Sequence, residues 1–285
     1  MTVERYGLRM TEINMVTLPL RIGLTVALAI LLSCAYAYAG DWKELKSDHF
    51  IIYYLGDESF ASETSRKAES YYDRIASDLG YSRYDKFWQW DDRAKIYLYR
   101  NHEDFLRATN KPSWVHGTAV YEKKEIISYE WGSGFFDTLL PHEMAHLIFR
   151  DFVGFPLIKG RAGWERTIPL WMDEGVAQWA EAGKRARAAE IVGALIKSKK
   201  YIPLDQLMTI YNDTAVDAEM SLKVYAEAVS LVGYLIKEYG ADRFALFCKQ
   251  LRDGKSVDEG LSFVYTGSIQ NIKELESKWI KYYGG

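Results

Sequence analysis

Two histidines four residues apart, with a glutamate directly after the first, stand at His142, Glu143 and His146. On a helix, residues at that spacing lie on one face, one above the other. Both rings can then present a nitrogen to a single metal ion. Glu143 lies about 100° round the helix from His142, which puts a carboxylate beside the ion without making it a ligand. Metal-assisted hydrolysis needs this set: imidazoles to hold the ion and a base for its water. The chain has five histidines in 285 residues, so the pattern arises by chance on the order of once in a hundred such chains. The other reading is a helix with two histidines that share no task. Leu139, Leu140, Leu147, Ile148 and Phe149 make the segment apolar, so the helix is expected to be buried, and buried polar groups need partners. Pro141 belongs in a first helical turn, which predicts a helix starting near Thr138 as N-cap.

Two histidines do not complete a catalytic site, which takes three protein ligands and leaves a fourth position open. The metzincin continuation needs Gly and His where this chain has Phe149 and Phe152, so that class is excluded. His49, His102 and His116 all lie upstream in segments that read as strands or loops, and the search moves to a carboxylate downstream. There the chain reads Trp171-Met172-Asp173-Glu174-Gly175-Val176-Ala177. This stretch resembles the gluzincins, metallopeptidases whose third ligand is a Glu on a second helix in a Trp-x-x-Glu-Gly-x-Ala context. The resemblance implies one zinc ion held by His142, His146 and Glu174, with Glu143 as the base. The stretch from His146 to Glu174 is longer than in thermolysin or the gluzincin aminopeptidases, and Asp173 stands where the aminopeptidases carry Asn. Glu181 lies seven residues after Glu174, two turns along the same face. It is expected either to orient a ligating histidine from behind or to be a solvated helix carboxylate. Val224-Tyr225-Ala226-Glu227-Ala228 resembles the gluzincin segment whose Tyr stabilises the oxyanion. The alternative is a core Tyr225, on a stripe with Leu222, Ala226, Val229, Val232, Gly233 and Ile236. As a whole, the chain from about Trp42 to Tyr283 is similar to the bacterial peptidase MA-like family.

The elements that must carry these residues are legible by pattern. His49 to Tyr54 and Ala94 to Tyr99 read as strands. Ala68, Tyr71, Tyr72, Ile75 and Leu79 mark an amphipathic helix closed by Gly80. A short helix is expected from His102 to Asn110. Thr118–Tyr121 and Glu125–Tyr129 form a hairpin around Lys123 and Lys124. The gluzincin resemblance implies that an edge strand holds the substrate backbone by strand addition. Trp114 to Ala119 is the candidate, with Gly117, Thr118 and Ala119 as contacts. The plainer reading is a turn glycine before an ordinary strand, with His116 a hydrogen-bonded structural residue. Residues 151–172 are expected to be a loop bordering the cleft, in the position of a lid. After Glu174 the chain reads as all helix. Ser256 to Glu259 is a capping box, Gly240 and Gly254 are stops, and the last helix shows Leu275, Trp279 and Tyr282 on one face. Cys248 reads as a buried core thiol.

The expected architecture is α+β and gluzincin-like. A mixed-sheet lobe with the first metal helix spans 40–150, a helical lobe spans 151–285, and the zinc site lies between them. Residues 1–39 read as a signal peptide. Arg21 precedes an apolar run from Ile22 to Cys34, and Ala37-Tyr38-Ala39 is an A-x-A site that predicts cleavage after Ala39. Starts at Met10 or Met15 would give a shorter leader. Ile22 to Ala39 is also just long enough for an uncleaved membrane anchor, and Cys34 after Leu-Leu-Ser would suit a lipoprotein. Each places Asp41 onward outside the cytoplasm, periplasmic or secreted. The 36 basic and 39 acidic residues nearly balance, and no basic run points to nucleic acid. The resulting expectation is an exported zinc peptidase acting on peptide or protein substrates. An endopeptidase is favoured, because no amine-recognition element is evident. The competing readings are a peptide-binding or scaffold protein on the same fold without turnover, and a zinc hydrolase of some other substrate.

Overall fold

The computed structural model describes residues 42–81, 88–154, 157–160, 163–166, 168–211 and 217–285. Trp42–Gly285 forms one compact unit. The leader and anchor readings of residues 1–39 fall outside the described residues. Among the described residues, no helix is long and apolar enough to cross a membrane.

Five strands form the first sheet: β1 (Lys43–Lys46), β2 (Phe50–Tyr54), β3 (Ala94–Tyr99), β4 (Gly117–Val120) and β5 (Glu125–Tyr129), in the order β1-β2-β3-β5-β4. The central strands β2, β3 and β5 run parallel, and the two outer ones pair antiparallel. Alternation sets the faces. Phe50, Ile52, Ala94, Ile96, Leu98 and Ile126 are buried on one side. That side is covered by α1 (Glu58–Asp78), which packs on β2 and on the first metal helix. Helix α1 begins well before the periodic run read from sequence, because Asp57 caps it by accepting from the Phe60 amide. Gly80, at φ +71°, turns the chain out of it in a backbone conformation that favours glycine. Helix α2 (His102–Thr109) follows β3.

The first metal helix, α3 (Leu140–Val153), does not start at a Thr138 cap. It is entered through a π-helical turn, Phe135–Leu139, and no side chain caps it. Pro141 does sit in its first turn. A proline ring crowds the carbonyl four residues back and offers no amide hydrogen. The wider turn, closed by the Leu140 amide on Phe135 O, accommodates it. Within 151–172, read from sequence as a loop, the described residues include helix and paired strands. Helix α3 runs to Val153, and β6 (Leu157–Gly160) pairs antiparallel with β7 (Gly163–Arg166).

From Leu170 on, the described residues are helical: α4 (Leu170–Ala180), α5 (Ala182–Lys197), the short α6 (Leu204–Leu207), α7 (Ala218–Tyr239), α8 (Ala241–Arg252), α9 (Val257–Val264) and α10 (Ile272–Gly284). The capping box at Ser256 forms as read, and Gly240 and Gly254 take positive φ just beyond helix ends. Helix α4 packs between α3 and α7. Its contact with α7 depends on Gly175, where a Cβ would come within 2.7 Å of the Ala228 carbonyl oxygen. Two apolar positions differ from the pattern. Leu222 is 54% exposed near the start of α7, and Tyr282 is 40% exposed. In the last helix Leu275, Trp279 and Tyr283 form the inward stripe at i, i+4, i+8, which tracks one face better than a step of three from Trp279. Cys248 is fully buried, and burial pushes its thiol pKa up.

Candidate metal centre

Helix α3 runs through the core. Met144, Ala145, Leu147, Ile148 and Phe149 are all buried, so its polar side chains must find partners inside the protein. His142 and His146 find them twice over. The Nε2 atoms of the two rings face each other at 3.2 Å. Each Nδ1 is tied to a carboxylate behind it: His142 to Glu181 Oε1 at 2.9 Å, His146 to Asp173 Oδ1 at 3.0 Å. A ring that donates from Nδ1 keeps its lone pair at Nε2. Both lone pairs therefore converge on one point.

Helix α4 brings the third group. Glu174 Oε1 lies 3.6 Å from His146 Nε2, and its Oε2 lies 3.9 Å from His142 Nε2. Among the described residues, His142, His146 and Glu174 are the His/Cys/Asp/Glu group able to hold a metal ion, with donor atoms all within 4.8 Å of one another. Ligands at the usual 2.0–2.1 Å from a tetrahedral zinc stand about 3.3 Å apart. The histidine pair has that spacing at 3.2 Å, and the Glu174 oxygens stand slightly farther out, at 3.6 and 3.9 Å. Two nitrogens and one carboxylate oxygen suit a hydrolytic zinc site and leave room for a fourth ligand. The local field favours a cation as well. Burial opposes protonation of His146, yet Asp173, Glu174 and Glu143 outweigh it and hold the imidazole pKa up at about 9, so an ion that binds at Nε2 displaces a proton there.

Glu143 is half-buried on α3. Its carboxylate is close enough to act electrostatically on both His146 and Tyr121. Glu181 is only 4% exposed. It sits at the bend between α4 and α5, with extended backbone, which turns its side chain back toward His142. Tyr225 is half-buried on α7, partly packed against the core, one turn before the Ala228 that meets Gly175. Gly117, Thr118 and Ala119 lie in β4 at the edge of the sheet. A Cβ at Gly117 would come 2.5 Å from Leu139 Cδ1, so the glycine lets the edge strand lie close over the entrance to α3. The remaining histidines are engaged elsewhere: His49 with Glu69, His102 with the Val115 carbonyl, and His116 with the Tyr129 hydroxyl at 2.6 Å.

Three residues of the site escaped the sequence reading. In the sequence Asp173 stands out only as a departure from Asn. It accepts from Arg150 Nε at 3.1 Å and Arg150 Nη2 at 2.5 Å while holding His146. Burial works against its ionisation, but His146 and Arg150 keep its carboxyl well below the usual range. Arg150 is one turn beyond His146 on α3, and that spacing was a usable signal. Tyr121 lies just after β4. Its ring covers the Arg150 guanidinium, 3.5 Å from ring centroid to Cζ, and meets the His146 ring edge-on at 6.2 Å. Burial raises its phenol pKa, as do Asp173, Glu143 and Glu174, against the opposing pull of Arg150. No local pattern marks a tyrosine that reaches a site from another element.

Residues 87–283 match the Peptidase MA superfamily. The chain belongs to that superfamily. The matched span begins before β3 and contains the edge strand, both metal helices and nearly all of the helical part, leaving β1, β2 and α1 outside. A comparison with curated proteins finds no match. Membership of a peptidase superfamily fits the His-His-Glu group and makes a metallopeptidase the coarse reading of this Peptidase MA chain.

Proposed function

We propose that the chain is a zinc-dependent peptidase that cuts within peptide or protein chains. The observation that carries this is the facing pair of Nε2 atoms at 3.2 Å, each ring fixed from behind by a buried carboxylate, with Glu174 completing the set. Bound zinc would supply Lewis acidity for water and for the scissile carbonyl. The protein supplies the rest. His142, His146 and Glu174 hold the ion, and Glu181 and Asp173 keep both imidazoles in the ligating tautomer. Glu143 accepts the proton of the attacking water and passes it to the leaving amine. Tyr225 donates its phenolic hydrogen to the developing oxyanion. Gly117, Thr118 and Ala119 offer edge-strand backbone to an extended substrate. Residues 1–39 act as an export signal cleaved after Ala39, which amino-terminal sequencing of the mature protein tests. An intact Ile22 would favour a membrane anchor, and a lipid on Cys34 a lipoprotein.

The deciding experiment is hydrolysis of a peptide mixture by purified protein, with and without chelator, beside Glu143→Gln. The substitution keeps volume and touches no ligand, so zinc content should stay near one equivalent. Hydrolysis should fall by about 10²–10⁴-fold, the usual worth of general acid–base catalysis. Peptide binding with no turnover by the wild type would favour a scaffold on the same fold.

A further inference from the structure

The edge strand has a second face that the metal centre does not use. Gly117 and Ala119 point inward, toward Leu139 and the core. Thr118 is register partner to Ile127, and Ile127 to Tyr97, so these three share the outer face of the sheet with Tyr99 and Val120. On that face lies an open cavity of about 320 Å³. Tyr99, Val120 and Ile127 contribute its apolar lining, Ala108 at the end of α2 is one wall, and Lys111 and Glu122 stand at the rim. Tyr121 also lines it, and the same residue meets His146. The cavity and the metal centre thus lie on either side of one side chain, Tyr121.

We infer that this cavity is a specificity subsite that takes one bulky, uncharged side chain of the substrate, aliphatic or aromatic. The inference rests on the peptidase reading. Among the described residues no strand pairs with the free edge of β4, and an extended peptide can add there. Its side chains alternate between faces. A residue directly across from Thr118 shares the outer face, with its Cα about 4.5–5.5 Å away, and its side chain reaches the cavity rim. The volume lies within the range of ligand pockets, roughly 300–1,000 Å³, at the end that suits one large side chain. Lys111 and Glu122 have opposite signs, so the rim does not select for charge, whereas the apolar lining disfavours it. Because strand register is fixed relative to the metal, the preference falls at one position counted from the scissile bond.

The test is cleavage-site profiling by mass spectrometry on a defined peptide mixture, with the full chain. The wild type should favour Leu, Phe or Tyr over Ala at one fixed position, by about 10-fold or more in kcat/KM, as an occupied apolar pocket allows. Ala108→Trp fills the cavity and should erase or invert that ratio, with Ala-containing sites still cut. Val120→Ala widens it and should shift the preference toward larger side chains, which keeps the question open to decision if the tryptophan variant misfolds. Cleavage with no positional preference, or a preference that neither variant moves, overturns the subsite and leaves the peptidase standing. Absence of any chelator-sensitive cleavage by zinc-loaded wild type overturns both.

Discussion

Replacing Glu181 tests whether the carboxylates behind the histidines organise the metal centre. Its side chain is nearly inaccessible, and Oε1 lies 2.9 Å from His142 Nδ1. In Glu181→Ala no acceptor remains there. The ring is then free to turn, or to adopt the tautomer with hydrogen on Nε2, which cannot ligate. Loss of such a partner typically weakens metal binding by 10–100-fold, or about 1.4–2.7 kcal/mol. In Glu181→Gln the amide oxygen still accepts from Nδ1–H, so the tautomer survives and only the charge is lost. The affinity of this variant should fall between those of wild type and the alanine variant. Zinc affinity is read by competition with a chromophoric chelator at fixed pH. Thermal unfolding of the metal-free proteins shows whether the alanine variant has lost more than the ring's orientation. An alanine variant that is folded and binds zinc as tightly as wild type refutes the argument, and Glu181 becomes a buried carboxylate with no part in the site.

Glu174→Ala should lose most of the zinc found by elemental analysis, because it leaves two ligands where a site needs three; full occupancy would remove Glu174 from the centre. Tyr225→Phe should lower kcat by roughly 10²-fold with little change in KM, as removal of one oxyanion donor does. A fully active variant would return Tyr225 to the core. Glu227 is buried on α7, its Oε1 accepting from the Ile202 amide and its Oε2 without a hydrogen-bond partner among the described residues. Burial, with a smaller push from Glu276, raises its pKa from 4.5 to about 8, against the Ile202 amide and Lys223. Between those values the folded state holds a proton that the unfolded state has released. This group's contribution to stability should therefore fall as pH rises from about 4.5 to 8, by at most about 1.4 kcal/mol per pH unit. Denaturant titrations across that range should show a flatter dependence in Glu227→Gln.

The sequence by itself marked the two histidines and the glutamate of the candidate metal centre and most of the elements around it. His142, Glu143 and His146 fall within one helical turn and its neighbour, and a chemistry written into a local period can be read without knowing the fold. The strands at β2, β3 and β5 were legible for the same reason, since alternation and β-branched content are local. The capping box at Ser256 and the positive-φ glycines are likewise properties of a few adjacent residues. Glu174 needed more: its helix was readable, but its place beside the histidines depended on a resemblance. Only the tertiary structure decided what stands behind and beside the ligands. Glu181 could have been a solvated carboxylate by spacing alone; the bend between α4 and α5 buries it against His142. Asp173, Arg150 and Tyr121 come together from α4, α3 and the turn after β4. The start of α3 also went beyond local rules, because Pro141 draws in a π-helical turn in place of a side-chain cap. Contacts between elements depend on where helices pack, and packing is set by surfaces such as Gly175 against Ala228, whose complementarity no single segment encodes.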